Sequence, residues 1–108
     1  MISEEHQPLN LERCRSLRSK YPNHFPVVLE GDFNIIKPKM MINGNMNISQ
    51  IMSHIRSNNK LKNNEAYFLF INNILLPQTT NMVDIYRQHR NLENGFLFIK
   101  IKKESTFG

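Results

Sequence analysis

The sequence predicts an α+β fold, in which one helix crosses a four-stranded mixed sheet and a helical segment precedes it. The chain has 108 residues, of which 40% are hydrophobic and 21% charged, as expected for one soluble domain. Short runs rich in apolar and β-branched residues alternate with segments whose apolar residues recur every three or four positions. The predicted order is therefore helix, strand, strand, helix, strand, helix, strand.

The first helix is predicted over residues 9–19. It is amphipathic, because a narrow apolar stripe runs along an otherwise polar segment. The stripe consists of Leu9 or Leu11, Cys14 and Leu17. Pro22 is expected to end the helix, since a proline moves the residue before it away from helical angles.

Residues 25–30 predict the first strand, and residues 37–42 predict a second strand that forms a hairpin with it. Gly31 begins the turn between them. Pro26 has no N–H for a ladder, which predicts that the first strand lies at an edge or contains a bulge there.

The next helix starts at a cap supplied by Asn47 or Ser49. Its apolar face, at spacings of three and four, consists of Ile48, Ile51, Met52 and Ile55. Residues 66–71 (AYFLFI) form the most apolar strand, and we expect both of its faces to be buried at the centre of the sheet.

The last two elements are a helix and a strand. Thr79 or Thr80 is expected to cap the helix, whose apolar residues are Met82, Ile85 and Tyr86. Residues 96–101 (FLFIKI) predict the final strand, and no periodicity follows it.

Residues that carry out chemistry are sparse. The four histidines do not fall at ligand spacing with one another or with Cys14, the single cysteine. The four glycines are isolated, so there is no phosphate-binding loop, and no pair of carboxylates marks a cleft. We therefore expect no metal, no cofactor and no enzymatic activity. No apolar run approaches the roughly 18 residues of a membrane span.

The chain is basic, with 14 lysines and arginines against nine acidic residues. Four cations lie on the first helix: Arg13, Arg15, Arg18 and Lys20. A basic stripe is a solvated face in most proteins, although it also permits a nucleic-acid-binding module. The aromatic residues that would accompany RNA binding lie mainly in the two apolar strands, where core packing explains them.

Several segments, taken together and in order, resemble the autophagy ubiquitin-like modifiers, the group that includes GABARAP and the microtubule-associated light chains. They are residues 15–30, 66–73, 82–89, 95–99 and 104–108. The resemblance implies a ubiquitin-like β-grasp over residues 25–103, a helical extension over 1–24 and a conjugation tail over 104–108.

The resemblance also implies a carrier whose C-terminal glycine, here Gly108, is activated, passed between enzymes and joined to phosphatidylethanolamine. Phe107 would help those enzymes to recognise the tail. The implied partners are activating and conjugating enzymes, a deconjugating cysteine protease, and motif-bearing cargo receptors and adaptors. A monomer is expected, in the cytoplasm and, after lipidation, anchored on autophagosomal or related vesicle membranes.

The second function that the resemblance implies is capture of aromatic-x-x-aliphatic peptides as an added strand along the second strand. The pocket for the aromatic residue maps to Leu17, Pro26, Val28, Lys39, Met41 and Phe96. The pocket for the aliphatic residue maps to Met40, Ile42, Met46 and Ile51. The basic rim maps to Arg13, Arg15 and Lys37.

One departure from the family bears on selectivity, because Arg13 stands where relatives often have a glutamate. Two other interpretations stay open at this stage. One is a ubiquitin-like modifier that is joined to a protein amine, and the other is a basic nucleic-acid-binding module.

Overall fold

The computed structural model describes residues 8–31, 35–62 and 64–104. Three helices and four strands are present in this part of the chain, in the predicted order. They are α1 (Leu11–Lys20), β1 (His24–Gly31), β2 (Lys39–Asn43), α2 (Ile48–Asn59), β3 (Tyr67–Phe70), α3 (Met82–His89) and β4 (Leu97–Lys103). The α+β class and all seven elements are confirmed.

The four strands form one mixed sheet in the order β2-β1-β4-β3. The β1–β2 hairpin and the β3–β4 pair are antiparallel, and β1 and β4 are parallel at the centre. The expectation that AYFLFI lies at the centre was wrong, because β3 is an edge strand of four residues in which only Leu69 is buried.

The prediction of an edge position for Pro26 was also wrong, since β1 pairs with strands on both sides. The first β1 residue that pairs with β4 is Val27, opposite Leu97. Pro26 therefore lies just before that ladder, where its missing N–H costs no hydrogen bond.

The two faces of the sheet carry separate apolar clusters. Alternate β1 residues, Val27 and Leu29, face the main core with α2 and α3, whereas Val28 belongs to a smaller cluster with Cys14 and Phe96. Neighbouring residues of a strand point to opposite faces. Helix α1 thus covers the face opposite the main core.

Side-chain caps fix the start of α2 more firmly than that of α3. Asn47 accepts from the Gln50 N–H at 2.9 Å while the Gln50 side chain accepts from the Asn47 N–H, which is a capping box. Helix α3 begins after Asn81, which makes no side-chain cap. Neither Thr79 nor Thr80 is therefore the cap that the sequence predicted.

Candidate functional site

An apolar groove of about 320 Å³ lies between α1 and the β1–β2 hairpin. Its floor comes from the sheet and one wall from α1, so it lies on the face opposite the main core. The lining residues are Pro8, Leu9, Arg13, Leu17, Tyr21, Pro26, Val27, Lys39, Met40, Met41 and Phe96. The groove therefore offers an apolar surface with two cations, Arg13 and Lys39.

The groove adjoins the β2 edge of the sheet. On either side of β2, the Leu29 N–H donates to the Pro38 carbonyl at 2.6 Å and the Gly44 N–H donates to the Asn23 carbonyl at 3.0 Å. Pro38 and Gly44 both have even numbers, so the even-numbered residues between them are the ones whose peptide groups face β1. Peptide groups alternate in direction along an antiparallel pair. The N–H and C=O of Met41 therefore point away from β1, toward the side where an added strand would lie.

The structure brings five of the six residues predicted for the aromatic pocket into this groove: Leu17, Pro26, Lys39, Met41 and Phe96. The sixth, Val28, lies beneath them and is only 9% exposed. It packs with Phe96 in the smaller cluster, where it supports the floor.

Four further lining residues, Pro8, Leu9, Tyr21 and Val27, were not predicted as part of the site. Leu9 belongs to the apolar stripe predicted for the first helix, and that stripe is the sequence feature that could have identified it as part of the site. Pro8 and Tyr21 lie on either side of α1, where helical periodicity gives no information.

The residues predicted for the aliphatic pocket divide into two layers. Ile42 and Ile51 lie in the main core, 1% and 0% exposed, whereas Met40 and Met46 are half-buried against that core. A peptide side chain would reach the isoleucines only if a methionine moved. Methionine is unbranched and adapts its shape readily. The two methionines are therefore the residues available for contact in this arrangement.

One of the three residues predicted for the basic rim lines the groove, and the other two do not. Arg13 lines the groove, but Arg15 and Lys37 are exposed outside it. The Lys37 N–H donates to Oδ1 of Asn59 at 2.7 Å, and that buried side chain donates in turn to the Ile55 carbonyl at 3.1 Å. Lys37 thus helps to join the β1–β2 connection to the end of α2.

Arg18 ties α1 to the sheet and does not extend the basic face. Its guanidinium lies 4.3 Å from the centre of the Phe25 ring, and its Nε donates to the His24 carbonyl at 3.2 Å. Such a cation–π contact is worth roughly 0.5–2 kcal/mol. The cationic stripe is interrupted here, which weakens the case for a nucleic-acid surface.

A buried cluster consisting of Cys14, Tyr86 and Gly95 holds α1 in place through hydrogen bonds. Both Sγ of Cys14, at 3.4 Å, and the Tyr86 hydroxyl donate to the Gly95 carbonyl. Burial, reinforced by the hydrogen bond with Cys14, raises the pKa of Tyr86 well above its usual value. Since the neutral phenol is retained as a donor, the cluster holds one wall of the groove in place.

The predicted conjugation residues Phe107 and Gly108 lie outside the described residues. The chain just before them is held at the β3 edge, where Nζ of Lys103 contacts Oε2 of Glu65 at 2.9 Å and the Glu104 N–H donates to the Ala66 carbonyl at 2.9 Å. The hydrogen bond with Lys103 lowers the pKa of Glu65, and the same contact raises the pKa of Lys103.

Within residues 8–31, 35–62 and 64–104, no three histidine, cysteine, aspartate or glutamate side chains come together in a way that could hold a metal ion. Over the same ranges, no helix has the length and apolar character needed to cross a bilayer.

The sequence is similar to autophagy proteins. A family model described as "Autophagy protein Atg8 ubiquitin like" matches residues 10–108. The chain is 37% identical over 97 residues to "Autophagy-related protein 8" of Schizosaccharomyces pombe, a match that covers 85% of this chain and 79% of that protein. It is 34% identical over 108 residues to "Autophagy-related protein 8b" of Arabidopsis thaliana, covering 94% and 88%.

The fold is also similar to that of a solved structure. The crystal structure of Trypanosoma brucei ATG8 superposes with a TM-score of 0.80 at 25% identity, covering 100% of both chains. The four-stranded sheet, its crossing helix and the N-terminal helix are therefore the ubiquitin-like fold of that protein.

Proposed function

Because the chain belongs to the Atg8 family of ubiquitin-like autophagy proteins, we propose that it is a modifier which becomes attached to membranes and recruits motif-bearing proteins. The proposed division of the chain is 1–24 for the helical extension, which contains α1, 25–103 for the β-grasp domain and 104–108 for the conjugation tail. Family membership supports a carrier rather than an enzyme, since conjugation requires partner enzymes to supply the chemistry.

Gly108 is the proposed point of attachment, with Phe107 as its recognition residue. The supporting observation is the anchor at the β3 edge, because it fixes the point from which residues 105–108 continue. Glycine suits a narrow enzyme channel, since its backbone can approach the walls without a Cβ. Activating and conjugating enzymes would join its carboxyl group to the amine of phosphatidylethanolamine, and a cysteine protease would release it.

Reconstituted conjugation on liposomes tests this proposal. With ATP, activating and conjugating enzymes and phosphatidylethanolamine, the intact mass of the protein should increase by the mass of one lipid less one water, because the new amide bond forms with loss of water. Gly108→Ala should fold normally and lose most of this product, whereas the matched tail variant Ser105→Ala should retain it. A normal rate for Gly108→Ala, or an adduct on a protein amine only, would contradict the lipid-linked function.

The groove is the proposed binding site for aromatic-x-x-aliphatic motifs. The observation that carries this proposal is an apolar groove beside the edge strand β2, with the peptide groups of Met41 facing the open side. Strand addition supplies main-chain hydrogen bonds, and the groove supplies selectivity for the aromatic side chain. Met40 and Met46 would admit the aliphatic residue.

Calorimetry with a peptide carrying the core Trp-Ser-Ala-Leu tests the site. Met41→Asp should weaken binding by about ten-fold or more, because the peptide would have to desolvate the new carboxylate, a cost that the cations Arg13 and Lys39 in the same groove offset only in part. The matched control is Ile74→Asp, which makes the same kind of change at an exposed residue that does not line the groove. Equal affinities for the two variants would move the site elsewhere.

A further inference from the structure

We propose that residues 1–7 occupy the groove of their own molecule and compete there with motif peptides. The inference rests on the proposed function for the identity of the competing ligand, but the docking itself does not depend on it. The segment reads Met-Ile-Ser-Glu-Glu-His-Gln and leads directly into Pro8 and Leu9, two residues of the groove lining.

The segment is long enough to follow the whole groove. Seven residues extended at roughly 3.3–3.6 Å each reach about 23–25 Å from Pro8. The five residues of β2 span only about 17 Å. Because the segment is covalently joined to Pro8 of the groove lining, its effective concentration there is high, in the millimolar range for short connections.

Charge complementarity favours this occupant. Residues 1–7 hold two of the nine acidic residues of the chain, Glu4 and Glu5, and none of its 14 basic ones. The charged residues of the groove lining are both cations, Arg13 and Lys39. In a basic protein, this acidic segment therefore begins beside a basic part of the surface.

The apolar residues of the segment match the rest of the lining. Met1 and Ile2 lie on the far side of the glutamates from Pro8, so they can reach along the groove when the glutamates lie near its cations. Leu17, Met41 and Phe96 provide the apolar surface there. One short segment thus combines the two chemistries that the groove presents.

Methyl NMR of the methionines tests the docking without any partner. Deletion of residues 1–7 should shift the Met41 methyl signal, which reports on the groove, and leave Met82, 0% exposed in the main core, unchanged. An unchanged Met41 signal would overturn the proposal. Shifts that depend on protein concentration over a hundred-fold dilution would also overturn it, because the occupant would then come from a second copy.

A charge-reversal pair keeps the chain length constant. Glu4→Lys/Glu5→Lys should move the Met41 signal toward its position in the deletion variant. The control Glu93→Lys/Glu104→Lys makes the same change in charge at exposed residues outside the groove lining and should leave that signal in place. Equal effects of the two pairs would show that net charge alone acts, and would overturn the proposal.

Peptide affinity then measures the competition. The deletion should tighten binding of the Trp-Ser-Ala-Leu peptide by about three- to ten-fold, because an occupied groove lowers apparent affinity by its free fraction. An unchanged affinity in a protein that binds the peptide would overturn the competition. If neither protein binds the peptide while the methyl shifts occur, the motif-binding function fails and the docking stands.

Discussion

Replacing Gly95 by alanine should destabilise the fold and loosen the α1 wall of the groove. Gly95 has a φ of +82°, a region that L-residues enter at a cost of about 1–2 kcal/mol. An added Cβ would lie 2.7 Å from Sγ and 3.2 Å from Cβ of Cys14, and such overpacking costs about 1–3 kcal/mol. The free energy of unfolding should therefore fall by about 2–5 kcal/mol.

A double-mutant cycle separates the two costs. In a Cys14→Ala background the 2.7 Å contact disappears, so Gly95→Ala should cost about 1–2 kcal/mol less there than in the native chain. The residual cost is the backbone strain, together with the contact of 3.2 Å between the two Cβ atoms. Urea denaturation of the four proteins gives the coupling energy directly.

The same substitution links stability to binding. Cys14 is the buried residue of α1, and α1 carries Leu17 and Arg13 into the groove. Gly95→Ala should thus weaken peptide binding, and Cys14→Ala should partly restore it. Strictly additive costs in the cycle, or no loss of stability in Gly95→Ala, would refute the packing argument.

Three further predictions concern charge. The first uses protein that lacks residues 1–7 and a peptide with acidic residues before its aromatic anchor. Arg13→Glu should slow association of this peptide a few-fold in stopped-flow measurements at low salt, and should have almost no effect at 1 M salt, where the Debye length is about 3 Å. Equal association rates at low salt would show that Arg13 does not face the peptide. The folded-state pKa of Glu65 is lowered, so its stabilisation is present above about pH 5 and lost on acidification. The urea midpoints of native protein and Glu65→Gln should differ at pH 7 and converge below about pH 3, and a constant difference would contradict the ion pair with Lys103. The pKa of Tyr86 is raised above its ordinary value of 10.0, so stability should fall as the pH rises beyond that value, whereas Tyr86→Phe should show a flatter alkaline profile; parallel profiles would contradict the buried neutral phenol.

The order of elements could be predicted because each one carries its own pattern, but the position of β3 could not. Its aromatic residues are shielded partly by cations: Arg56 lies 5.0 Å from the Tyr67 ring and Lys102 lies 5.0 Å from the Phe70 ring. Long charged side chains can cover apolar surface. The sequence of an apolar strand is therefore the same whether a neighbouring strand or the stem of an arginine covers it, so it does not distinguish a central strand from an edge strand.

The same ambiguity affects the candidate site. Pro26, Met41 and Phe96 line the groove, whereas Ile42 and Ile51 are buried in the core, yet all five are ordinary apolar residues in apolar runs. The sequence specifies which face of β2 each residue occupies, because the period is two. It does not specify which face stays open, since that depends on how far α1 lies from the hairpin.

The pairing of β1 with β4 has a consequence for how the molecule is made. Val27 pairs with Leu97, so the two central strands come from nearly opposite ends of the chain. On the ribosome, the hairpin and α2 emerge first and have no central partner until β4 has left the exit tunnel. Contacts so distant in sequence slow folding and expose strand edges in the meantime. We therefore expect nascent chains that stop before β4 to depend on chaperones.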